Sequence, residues 1–92
     1  MKRLPKKLRD EGFNLIQLKR DGNKAIYQKT KDGYTYTHYE VILIEHHNGY
    51  CIAGQEIQSA EMYPSAKNFG SKGWDFLSKT QAIKKYNSLK SK

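Results

Sequence analysis

Ninety-two residues suffice for one small domain with one modest core, and no apolar run approaches the ~20 residues of a spanning helix. Lys and Arg number 17 against 9 Asp and Glu, a net charge of +8, which favours acidic partners: nucleic acid, anionic lipid or an acidic protein. One cysteine excludes an internal disulfide, and the basic opening MKRLPKKLRDEGF lacks a following apolar signal core, so the expectation is a cytoplasmic protein.

In chain order, residues 4–11 place a proline near the start and Gly12 after the end, with Leu4 and Leu8 one helical turn apart; the pattern predicts a short N-terminal helix. The dipeptides Asp21-Gly22, Asp32-Gly33 and Asn48-Gly49 then read as two-residue hairpin turns. They divide a run rich in Ile, Val, Tyr and Thr into four predicted strands, 14–20, 24–30, 34–47 and 50–57, joined as an antiparallel meander. The implied register puts Ile16, Leu18, Ala25, Tyr27, Tyr36, His38, Ile42, Ile44, Cys51, Ala53 and Ile57 on one face, the expected core face under a helix. Residues 58–77 hold Pro64, Gly70, Gly73, Trp74 and Phe76 and read as an irregular, aromatic-rich segment pinned to the body, with an extra helical turn or short strand within 61–69 as an alternative. Ser78 and Gln81 fit a capping box, and Ala82, Ile83, Tyr86 and Leu89 recur at helical spacing, predicting a C-terminal helix that packs on the sheet. The fold class is α+β in a single domain over residues 1–92.

The tail carries the most distinctive text: Tyr63-Pro64-Ser65, Asn68-Phe69-Gly70, Gly73-Trp74-Asp75-Phe76, Thr80-Gln81-Ala82 and Lys85-Tyr86-Asn87. With the strand Tyr39-Glu40-Val41, it resembles a set of small uncharacterised proteins of bacteriophages and bacterial mobile elements. The resemblance implies a phage or prophage setting in a bacterial host, and no activity or site residue comes with it.

All three histidines and the cysteine lie within residues 38–51. The meander would set His46 opposite Cys51 across Asn48-Gly49, close enough for a thiolate–imidazolium pair, whereas His47 would point to the other face; a hairpin tip with a small buried cysteine explains the same residues. Metal ligands lack paired spacing, no phosphate-binding glycine loop or acid–base carboxylate couple stands out, and no catalytic residue, metal or cofactor is expected. The basic residues carry more. Lys2, Arg3, Lys6, Lys7 and Arg9 fall near the N-terminus; Lys19, Arg20, Lys24, Lys29 and Lys31 gather about the first two turns; Lys79, Lys84, Lys85 and Lys90 mark the C-terminal helix. On the second sheet face Lys19, Lys24, Gln17 and Gln28 interleave with Tyr39 and Tyr50, a platform on which bases could stack while lysines neutralise phosphates. Val41, Leu43 and Ile52 share that face and, left uncovered, suit a protein interface. The expectation is a small accessory protein acting by binding, foremost a modulator or inhibitor of a host or viral protein, acidic in character and with dimers allowed; the alternative is a nucleic-acid binder.

Overall fold

A computed structural model describes residues 2–90 and shows an α+β fold. Its strands are β1 (Lys7–Asp10), β2 (Phe13–Asp21), β3 (Lys24–Thr30), β4 (His38–Leu43), β5 (Glu45–His47), β6 (Tyr50–Ile52), β7 (Gln55–Ile57), β8 (Ala60–Met62) and β9 (Gly73–Phe76), followed by the helix α1 (Lys79–Ser88). The main sheet is antiparallel, in the order β1-β2-β3-β4-β9. Among the described residues no helix is long and apolar enough to cross a membrane.

The predicted N-terminal helix is a strand. Two turns of helix are marginal without tertiary support, and Glu11 and Gly12 both adopt positive φ (51° and 83°), the geometry of a tight hairpin turn that returns β1 onto β2. The predicted four-stranded meander is likewise corrected to five strands. The run 34–47 becomes β4 and β5, broken at the buried Ile44, whose amide donates to the Asn23 carbonyl at 2.6 Å. The aromatic segment, expected to be irregular, contributes a fifth strand, β9, and its 61–69 stretch holds the end of β8 and a single 3₁₀ turn (Ala66–Asn68).

The predicted Asn48-Gly49 turn is absent. Residues 45–62 form one long hairpin whose pairs Glu45↔Met62 to His47↔Ala60 and Tyr50↔Ile57 to Ile52↔Gln55 keep a single register. Its turn is Ala53-Gly54, both at positive φ. Asn48-Gly49 instead marks an interruption in the ladder, where a Cβ on Gly49 would stand 3.2 Å from the Ile57 carbonyl oxygen. The base of this arm is tied down. Lys2 bridges to Ala60, and Glu61 accepts from Arg20 at 2.6 and 2.8 Å and from the Leu4 amide at 2.8 Å.

Both faces of the sheet are covered at β3, which is why Ala25, Ile26 and Tyr27 are consecutively buried. One face packs Leu15, Ala25, Tyr27, Ile42 and Ile44 against Leu4, Leu8, Tyr63 and Phe69. The other packs Ile26 and Val41 against Ala82 and Tyr86, flanked by Tyr39, Phe76 and Leu89. Helix α1 therefore lies on the face opposite to the one expected. A bulge between Gln17 and Lys19 contributes, since it lets Leu15 and Gln17 face one layer and Lys19 the other. The expected capping contact is formed: the Gln81 amide donates to Ser78 Oγ at 3.4 Å.

The Arg20 guanidinium beside Glu61 holds that carboxyl at about 2, against 4.5 when unpaired. The depressed value means that the pair's contribution is fully present above the unfolded value and fades as pH falls toward the folded one. Glu61→Gln should cost about 2–3 kcal/mol at neutral pH and flatten the acid limb of a stability–pH profile measured by urea unfolding. Tyr86 offers the opposite case. Its hydroxyl is buried without a hydrogen-bond partner, so Tyr86→Phe should leave stability unchanged or raise it by up to about 1 kcal/mol, read as a thermal midpoint.

Candidate functional site

The surface residues singled out from sequence do not form one surface. Val41 is fully buried beneath α1, Tyr39 is half-buried beside it, and Leu43 is half-buried. The tyrosine-bearing sheet platform is thus occupied by the helix. Tyr50 and Ile52 instead stand exposed on the tip of the arm.

Several of the predicted binding cations are engaged within the fold. Lys24 Nζ donates to the Tyr86 and Leu89 carbonyls at 3.3 and 3.1 Å, closing the C-terminal end of α1, and sits 4.5 Å from the Tyr86 ring centroid. Lys29 pairs with Glu40 at 3.2 Å, and its ammonium and that of Lys31 lie over the Phe13 ring at 4.5 and 4.8 Å. Arg20 is held by Glu61. Lys19 approaches the other side of Tyr86 at 5.4 Å, and Lys85 covers the Trp74 ring at 4.1 Å. Lys79, Lys84 and Lys90 stay exposed on and just beyond the helix.

The proposed His46–Cys51 pair is not formed. His46 faces Glu61, and Cys51, an exposed free thiol, faces Glu56. His38 lies elsewhere, with Nδ1 2.9 Å from Asp75 Oδ1. On the same sheet face, the buried Glu40 accepts from the Tyr63 hydroxyl at 2.6 Å and from Lys29. Burial, then the Glu40 charge, pushes the Tyr63 phenol far above its ordinary range, so it remains a proton donor to that carboxylate. These bonds satisfy Glu40 and pin the 58–77 segment under the sheet. Among the described residues, no group of three or more His, Cys, Asp or Glu could hold a metal ion.

A different concavity emerges between α1 and β2. A helix about 10 Å wide spans only two or three strands at ~4.8 Å spacing. Helix α1 packs on β3, β4 and β9, leaving its side of β1 and β2 open. The groove, of about 220 Å³, is lined by Leu18, Lys19, Ile26, Lys79 and Ile83. The open face continues past it through Ile16, with Lys7 directly paired to Ile16 and Arg9 to Asn14. Leu18, Ile16 and Ile83 are all exposed. The result is an aliphatic strip flanked by Lys7, Arg9, Lys19 and Lys79. Helix α1 has no acidic residue, and Asp21 ends β2 on this side opposite Lys24.

The sequence hides this groove, because Ile16 and Leu18 fit the pattern of core residues and Lys7 and Arg9 fall in a stretch with helical spacing. One available signal was charge segregation. Residues 32–66 hold Asp32, Glu40, Glu45, Glu56 and Glu61 with no Lys or Arg, so all 17 basic residues lie outside them. The arm therefore differs in sign from the body that bears it. No protein-family model, curated protein or solved structure matches this chain.

The lysines thus range from Lys24, which holds the fold, to Lys79, which faces the groove, with Lys19 between the two roles. Lys24→Ala should lower unfolding stability by about 1 kcal/mol, through lost helix-end bonds, whereas Lys79→Ala should stay within about 0.5 kcal/mol. Urea titration of both variants checks the division; equal losses would contradict it.

Proposed function

We propose that this chain is a small accessory protein that acts by binding, and that it docks an acidic, apolar-anchored segment of a protein partner in the groove between β2 and α1. The observation that carries this reading is the exposed aliphatic strip of Ile16, Leu18 and Ile83 set among Lys7, Arg9, Lys19 and Lys79. Burial of such a strip supplies affinity, and the cations select the sign of the partner and speed its approach. The resemblance to small phage and mobile-element proteins adds a setting to the proposal: a host or viral component in the bacterial cytoplasm as target, with the chain as its modulator or inhibitor.

Nucleic acid is the competing occupant. The exposed Lys79, Lys84 and Lys90 and the basic stretch before β2 favour it. The groove's aliphatic floor does not, because bases stack on aromatic rings, and Tyr39 is packed beside α1.

Fluorescence anisotropy separates the two. The probes are a short peptide alternating leucine with glutamate, its lysine-for-glutamate counterpart and a single-stranded oligonucleotide, each across a salt series. The acidic peptide should bind, its basic counterpart should not, and Ile83→Glu or Lys79→Glu should weaken binding roughly tenfold or more. Oligonucleotide binding alone, falling steeply with salt and unmoved by Ile83→Glu, would overturn the reading.

A further inference from the structure

The arm presents an apolar face that stays exposed at Tyr50 and Ile52, with the His47 ring set edge-on to Tyr50 at 5.6 Å. Directly paired residues share a face, as do alternate residues along a strand. The pairing Tyr50↔Ile57 and the two-residue step to Ile52 therefore put these three side chains together. Tyr50 is 47% and Ile52 59% exposed. A lone two-stranded ribbon is marginal in water, and exposed strands are usually guarded by lysine, proline or a bulge. Residues 50–57 have none of these, whereas the edge strand β1 carries Lys7 and Arg9. Charge points the same way. Copies of a +8 chain repel one another except where an acidic part of one meets a basic part of the other. The arm has no Lys or Arg, and with Glu61 taken up by Arg20 it keeps Glu56 at its tip and Glu45 nearer its base; it is that acidic part, and the groove is basic and apolar.

Within one chain the two cannot meet. Arg20, which clamps the arm's base through Glu61, pairs with Ala25 on the sheet face away from α1, whereas the groove opens on the α1 side. We propose that the arm tip of one copy, through Tyr50, Ile52 and Ile57, seats in the β2–α1 groove of a second copy, with the exchange made reciprocally in a two-fold dimer. This rests on the groove being a docking surface, and it makes the second copy its resident occupant: a partner segment gains the groove by displacing the arm. Two-fold exchange has two identical interfaces, each uniting an arm with a groove.

Sedimentation velocity on the full chain, over a range of concentrations and salt, tests the proposal. The wild type should dimerise with rising concentration and dissociate with added salt. Ile52→Lys removes the arm and Ile83→Glu the groove, and each alone should weaken self-association roughly tenfold or more. Lys79→Glu, on an exposed side chain, is the groove variant to use should Ile83→Glu disturb the helix. An equal mixture of the arm and groove variants should recover a heterodimer, since one intact interface remains. A wild type that stays monomeric overturns the proposal, as do groove variants that dimerise like the wild type or a mixture that recovers nothing. The glutamate–leucine peptide keeps this distinct from the groove reading itself. Ile52→Lys should bind that peptide at least as tightly as the wild type, and it would do so even if arm exchange failed.

Discussion

The Glu61 carboxylate takes two hydrogen bonds from the Arg20 guanidinium and one from the Leu4 amide. Three parts of the chain distant in sequence meet there: the N-terminal stretch, the bulged second strand and the returning strand of the arm. The N-terminal stretch and the arm are thereby tied to a strand that is itself held in the sheet on both sides. A bidentate guanidinium–carboxylate pair fixes orientation as well as distance, so it sets the direction in which the arm leaves the body. Leu4, placed by the same carboxylate, completes the core of Leu15, Ala25, Tyr27, Ile42 and Ile44. The other interactions on that face, Tyr63 to Glu40 and Tyr27 to the Pro5 carbonyl, fasten segments that this contact has already brought near.

What the sequence makes legible is what local chemistry dictates. The strand Lys24–Thr30 is bounded as its β-branched and aromatic residues suggest, and the helix begins after its Ser78 cap. Two turns escaped because their first residues, Glu11 and Ala53, are not ones that favour positive φ. Asn48-Gly49 then drew the hairpin turn to the wrong place, although its glycine serves a close backbone approach to Ile57. The covering of the two faces was hidden for another reason. A strand buried on both sides, as Ala25-Ile26-Tyr27 is, has no alternation from which to tell the helix side from the other. The groove followed from that gap: Ile16 and Leu18 look like core residues until the reach of a single helix is set against the width of five strands.

Charge organises the molecule beyond its fold. Cations near an aromatic ring or a helix end, such as Lys24, Lys29, Lys31 and Lys85, serve the interior architecture and are spent there. Lys19 does both, approaching the Tyr86 ring while it lines the groove beside Lys79. A high net charge thus overstates the basic surface offered to a partner, and the location of the remaining lysines says more than their number. The reversed sign of the arm gives the protein a polarity along its length that composition averages away.

The sheet backbone separates two apolar clusters, one under the N-terminal and aromatic segments and one under the helix. Neither cluster needs the other's covering element for its own closure. The helix contributes mainly Ala82 and Tyr86 as buried side chains, a small apolar holding for its length. It can therefore lift from the sheet as a local opening while the opposite cluster, with the arm clamped beside it, stays closed. Amide protons of α1 would then exchange with solvent by a cheaper route than those of Tyr27 or Ile42. The wall of the groove can accordingly open while the opposite layer stays closed, so the shape offered to a partner depends on the helix's own hold on the sheet.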